Sequence, residues 1–136
     1  MQWDDVAAHL TGLANLATAT PDGAPHVSVV MPYVEGDVVW VFTRASSGKA
    51  RRVATNGQVA LMWRPGPEAY VYGTASVVAD LDEKQRLWAK PDLPFPPAGF
   101  FGTVDNPDHV LLRIEPQRAV VMVDGGSDIQ RLSWQR

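Results

Sequence analysis

Residues 39–63 read Val39-Trp40-Val41-Phe42-Thr43-Arg44-Ala45-Ser46-Ser47-Gly48-Lys49-Ala50-Arg51-Arg52-Val53-Ala54-Thr55-Asn56-Gly57-Gln58-Val59-Ala60-Leu61-Met62-Trp63. From Val38 to Thr43 the chain is β-branched and aromatic, with too little alternation for a half-solvated strand. That predicts a strand buried on both faces. Ser46 to Asn56 breaks the pattern. Ser46 or Ser47 caps a helix there, Ala50, Val53 and Ala54 line one side of it, and Asn56-Gly57 ends it. Val59 to Trp63 is a strand again. A strand therefore runs into small hydroxyl residues and a helix that opens with cations. Backbone N–H groups, serine hydroxyls, the helix dipole and Lys49 can converge there on one phosphate. The same junction also fits a solvated helix whose cations only balance an acidic chain.

The charge distribution sharpens this. The net charge of the 136 residues is −3, yet residues 38–67 hold no acid and carry Arg44, Lys49, Arg51, Arg52 and Arg64. The rest of the chain is strongly acidic. One basic block in an acidic protein predicts a local anion site, not the broad cationic face that nucleic acid requires.

Working outward, Trp3 to Leu10 is a short helix with Asp4 and Asp5 in its first turn. Leu13 to Thr20 is a strand, Pro21-Asp22-Gly23 a turn, and His26 to Tyr33 the next strand. Beyond residue 63, Pro65-Gly66-Pro67 is a loop. Ala69 to Ala79 is a long strand with Gly73 at a bend or bulge. Leu81 to Lys90 is a helix capped by Asp80 or Asp82, and residues 91–108 are a packed loop rich in Pro, Phe and Gly. His109 to Ile114 and Arg118 to Val123 are two further strands. Gly125-Gly126 releases a tail, 127–136, that carries Trp134. The expected fold is one mainly β domain over 1–136. It is a partly closed barrel of six to seven mostly antiparallel strands with two to three short helices.

Several chemistries are excluded. There is no cysteine, hence no disulfide, no thiolate metal site and no thiol nucleophile. His9, His26 and His109 have no metal-ligand spacing, and no carboxylate pair has an acid–base spacing. The P-loop and nucleophile-elbow patterns are absent. No apolar run is long enough for a membrane helix, and no signal peptide is evident, so the expected location is cytoplasmic. No catalytic side chain stands out, which suits a protein whose cofactor supplies the chemistry.

The order of elements and the 39–63 segment resemble the pyridoxamine 5'-phosphate oxidase-like superfamily of FMN-binding split β-barrels. That superfamily shows an aromatic-Thr strand end, a Ser-x-Lys helix start and an Asn-x-x-Val strand. Phe100-Phe101-Gly102, Asp105-Asn106-Pro107-Asp108 and Leu111-Leu112-Arg113-Ile114-Glu115-Pro116 resemble its general-stress-protein branch. The resemblance implies a homodimer with a cofactor in each of two grooves between subunits. It implies that Thr43 and Lys49 touch the phosphate and ribityl chain of FMN, with Phe42, Ser47 and Gly48 beside them. Ser28, Val29 and Val30 would run along the isoalloxazine ring, and Glu68 lies near a flavin-contacting position of the oxidases. Ser28 and Gly48 stand where those oxidases carry arginines, which points away from pyridoxamine phosphate as substrate. Related proteins bind the deazaflavin coenzyme F420 through a Lys and an Arg in this region, here Lys49 and Arg52. Trp134 either crosses to a partner subunit and covers a ring or belongs to a disordered end.

The function expected from this resemblance is an FMN- or F420-dependent oxidoreductase that transfers hydride to or from a small organic molecule. The alternative is a non-catalytic binding protein for flavin, haem or another planar ligand on the same dimeric barrel. A surplus of large apolar residues in the strands at 38–43, 59–63 and 69–79 supports the dimer. Val39, Trp40, Val41, Trp63, Tyr70 and Tyr72 cannot all point inward, because strand side chains alternate.

Overall fold

Period-two burial marks the first strand of the sheet. In β1 (Ala14–Ala19), Ala14, Leu16 and Thr18 are buried and the residues between them face outward. The turn after it is closed by Thr20, whose backbone N–H donates to Ala24 O and whose Oγ1 accepts from the Ala24 N–H. Gly23 takes the positive φ of +93° that this turn needs. The computed structural model describes residues 1–64 and 66–136; Pro65, expected in the Pro65-Gly66-Pro67 loop, lies outside the described residues.

The remaining strands are β2 (Pro25–Val30), β3 (Tyr33–Glu35), β4 (Val38–Arg44), β5 (Gln58–Trp63), β6 (Glu68–Val78), β7 (His109–Asp124) and β8 (Ile129–Gln135). The helices are α1 (Trp3–Ala7), α2 (Gly48–Thr55), α3 (Leu81–Trp88) and α4 (Pro97–Phe101). Neighbours in the sheet run β2-β1-β5-β6-β7-β4-β3, with β8 also on β7, and every pairing is antiparallel. The sheet curls into a half-barrel, the split-barrel architecture expected. No described helix is long and apolar enough to cross a membrane.

Four details differ from the expectation. The stretch from His26 to Tyr33 is two strands, because Pro32 has no N–H for a ladder and the chain turns there to pair β3 with β4. The two strands expected at 109–114 and 118–123 are one, β7. Its register shifts between Tyr72 and Gly73, so that Gly73 faces Pro116 and Tyr72 faces Arg118. The bulge absorbs Pro116 without ending the strand. A Cβ on Gly73 would sit 2.2 Å from the Glu115 carbonyl oxygen, so only glycine fits there. The loop 91–108 contains α4, so the described residues hold four helices where two to three are expected, and eight strands where six to seven are expected. The tail is the fourth correction: residues 129–135 form β8. Beyond Ile114, β7 loses β4 as a partner, and β8 takes up the exposed ladder. Trp134 packs on Trp3, with ring centroids 4.9 Å apart.

The core lies inside the curl and is built from residues such as Val6, Leu16, Val39, Leu61, Trp63 and Val121. A second cluster lies on the opposite face of β4, where Trp40 packs with Tyr33, Leu87 and Leu111 under α3. Strand β4 is thus buried on both faces, as its sequence predicts.

Candidate functional site

Strand β4 ends at the site. Thr43 is buried, and its hydroxyl donates to Ser47 Oγ at 3.2 Å. Ser47 Oγ in turn donates to the Arg44 carbonyl at 2.7 Å and accepts from the Ala50 N–H at 3.2 Å, so Ser47 is the N-cap of α2. The preceding residue, Ser46, gives both its N–H and its hydroxyl to Asp108 at 2.8 Å. Those bonds from Ser46, with Arg44 3.6 Å away, hold the Asp108 carboxyl below the ordinary aspartate range. The loop between strand and helix is therefore fixed at both ends.

The first turn of α2 contains no acid. The positive end of its helix dipole is uncompensated by any side-chain carboxylate of its own. Lys49 lies on this turn and lines a groove of about 320 Å³. Arg52 folds back along the helix and is held by a 2.7 Å bond from Nε to the Thr18 hydroxyl. A Cβ on Gly48 would sit 2.8 Å from Arg52 Nη1. Gly48 therefore leaves the room that lets the guanidinium lie over the start of the helix. This donor set, a capped N-terminus with one lysine and one arginine, fits a phosphorylated cofactor.

The rest of the groove is apolar. Phe42 and Thr43 form its floor, Val29, Val30 and Met31 one side, and Phe95, Phe100 and Phe101 the other. Phe101 stacks on His109, with centroids 4.0 Å apart and planes at 21°. His109 is fully buried. Its Nε2 accepts from Trp88 Nε1 at 2.9 Å, which leaves the proton on Nδ1, where it is donated to the Thr43 carbonyl at 3.1 Å. Burial pushes the His109 pKa down, and the nearby cations Lys84 and Arg44 push the same way. The neutral ring thus joins α3, the end of β4 and α4 behind the groove.

Of the residues singled out in the sequence, Val29, Val30, Phe42, Thr43 and Lys49 line this one groove. Ser47 and Gly48 open α2 beside Lys49, with the Arg52 guanidinium against Gly48, and none of these three lines the groove. Ser28 sits between Val27 and Val29 on β2, half-buried and paired with Leu16, and does not line the groove. Glu68 lies at the start of β6, where its carboxylate accepts a hydrogen bond from the Tyr70 hydroxyl. Trp134 is against Trp3. Neither lines the groove within one chain. The three phenylalanines Phe95, Phe100 and Phe101 line the groove from a stretch that the sequence shows only as a packed loop. Their spacing carries no period, and only the fold of α4 shows that they form a groove wall.

Solved structures share this architecture. General stress protein 26 from Bacillus anthracis has a TM-score of 0.73 at 21% identity, over 95% of this chain and 97% of that one. A pyridoxamine 5'-phosphate oxidase-related, FMN-binding protein from Nostoc punctiforme has a TM-score of 0.72 at 17% identity, over 100% of this chain and 92% of that one. An F420 reductase has a TM-score of 0.62 at 25% identity, over 82% of this chain and 93% of that one. No curated protein sequence matches the chain significantly. Residues 8–122 match the family described as pyridoxamine 5'-phosphate oxidase, and the chain belongs to that family.

Proposed function

We propose that the protein is a flavin-nucleotide-dependent oxidoreductase, with FMN as cofactor or coenzyme F420 in its place. The observation that carries the reading is an acid-free helix N-terminus, capped by Ser47 and with Arg52 folded over its start, whose Lys49 lines a largely apolar groove. An anionic tail with a flat ring matches that polarity. Such a cofactor, once bound, supplies hydride transfer, and the protein's part is to bind, orient and exclude water. Lys49 and Arg52 neutralise the phosphate, Thr43 and Ser47 fix the loop, and Val29, Val30 and Phe42 shape the space for the ring. The FMN-binding relative and the F420 reductase support the two choices of cofactor.

Visible absorbance of the purified protein and of protein titrated with each cofactor tests this. The two-banded spectrum of an oxidised flavin selects FMN, and the single band of a deazaflavin selects F420. A protein that takes up neither removes the reading.

The groove is proposed to work in a homodimer. The outer face of the sheet is a row of Val29, Asn15, Met62, Tyr70 and Val120, beside a second row of Val27, Ala17, Ala60, Tyr72 and Arg118. Val27 is 70% exposed and Val29 65% exposed. Such a broad apolar sheet face on a small chain calls for a partner. Sedimentation at micromolar concentration should give twice the 14.9 kDa chain mass. The Val27→Arg protein should shift toward monomer by at least tenfold in dissociation constant, because it buries an unpaired charge on the face. A monomeric wild type at that concentration would overturn the dimer.

A further inference from the structure

We propose that the groove selects a neutral, planar aromatic substrate, held against the rings of Phe95 and Phe100 beside the space that Phe42 shapes for the cofactor's ring. The proposal rests on the cofactor reading above, which assigns Lys49 to the cofactor's phosphate.

Three observations carry it. First, the wall is a continuous edge-to-face series. Phe42 and Phe95 are 5.1 Å apart at 87°, and Phe95 and Phe100 are 5.9 Å apart at 89°. Rings set at right angles offer both a face and an edge to a further flat ring, which extends the series in the geometry that aromatic pairs prefer. Second, the wall ends in exposed apolar surface. Phe100 is 61% exposed, and Leu13, across the same groove, is 54% exposed. Single exposed hydrophobics are ordinary, but two that flank one cavity form a binding surface. Third, the segment that carries Phe100 is held rigidly. Arg44 Nη2 donates to the Phe100 carbonyl at 2.7 Å, Asn106 Nδ2 donates to the Phe101 carbonyl at 2.9 Å, and Phe101 is stacked on His109. A ring on so fixed a segment loses little freedom on binding.

The polarity of the groove sets the charge of the substrate. Lys49 is the one charged residue lining it among the described residues, and Thr43 already donates its hydroxyl to Ser47. With Lys49 taken by the cofactor's phosphate, a substrate carboxylate or phosphate would be desolvated with no lining cation left to meet it among the described residues.

The test uses 2-naphthol and 2-naphthoate, two rings of the same shape, one neutral and one anionic at pH 7. Binding is read by fluorescence in cofactor-saturated wild type and in Lys49→Gln protein, which lacks the cation whether or not a cofactor is present. The neutral ring should bind at least tenfold tighter than the anion in both. Phe100→Ala should weaken naphthol binding about tenfold, and Phe100→Tyr should restore it. Naphthoate binding as tightly as naphthol in Lys49→Gln protein overturns the proposal. An unchanged naphthol affinity in Phe100→Ala also overturns it, as does an effect of that variant on dimer mass alone, which would assign Phe100 to the subunit contact. Failure of the cofactor reading is separate: it appears as wild type that takes up neither FMN nor F420, while the order of the two naphthalenes in Lys49→Gln protein still judges the groove.

Discussion

Replacing Lys49 with alanine is expected to weaken binding of FMN or F420 by about ten- to a hundred-fold while leaving the fold intact. The ammonium lies on the first turn of α2 at the cationic end of the groove. Loss of a charge-assisted contact to a phosphate costs roughly 1.5–3 kcal/mol, and each 1.4 kcal/mol is about tenfold in affinity. The fold should not change, because a half-buried lysine beside a helix start adds little stability. The Ser47 cap that holds the helix does not involve its side chain. Arg52 should behave differently. Its Nε is bonded to the buried Thr18, so Arg52→Ala removes a structural bond as well as a cation and lowers both affinity and stability. Titration with each cofactor, beside a urea melt, separates the two cases. Wild-type affinity in Lys49→Ala protein removes Lys49 from the site.

The contrast between Lys49 and Arg52 shows what the sequence could and could not reveal. The strand–Ser/Gly–helix junction was legible because each part has a local cause. Val38 to Thr43 lacks alternation, Ser47 is a good cap, and the 38–67 stretch lacks acids. The bulge at Gly73 was legible for the same reason, as an isolated glycine inside a strand pattern. The continuity of β7 was not, because it depends on Gly73 facing Pro116 across two strands far apart in sequence. The fate of the tail was hidden too. Residues 129–135 have no strong strand pattern of their own, and β8 forms because β4 leaves one side of β7 uncovered beyond Ile114. The same distinction holds at the groove. Val29, Val30, Phe42, Thr43 and Lys49 are carried on predicted strands and a predicted helix. Phe95, Phe100 and Phe101 come from a loop whose shape is set by tertiary bonds from Arg44 and Asn106. Composition alone shows them as hydrophobic, with no indication of which surface they face.

The second large effect is expected at His109, a residue whose sequence context shows only a strand start. His109→Ala should destabilise the protein by about 3 kcal/mol, as removal of a fully buried ring does. Two polar groups lose their partner: the half-buried Trp88 Nε1 its acceptor and the buried Thr43 carbonyl its donor. Phe101 loses the ring it stacks on, so the wall of the groove loosens along with the core. A fall of roughly 10 °C in melting temperature is the expected reading. The pH dependence gives an independent check. The folded ring has its pKa held below the ordinary 6.5 by burial, with Lys84 and Arg44 adding repulsion. Well above pH 6.5 the ring is neutral in both folded and unfolded chains, and pH has no effect through it. As pH falls through that value, the unfolded chain takes up a proton that the folded chain refuses, so stability declines as pH falls. Protonation of the folded ring would set an N–H against the Trp88 N–H, two donors with no acceptor between them. His109→Gln removes the titrating group, so its stability should fall less steeply than wild type between pH 7 and pH 5. Parallel stability–pH curves for the two proteins would show that His109 keeps its ordinary pKa and would remove the neutral ring from the account of how the groove is held.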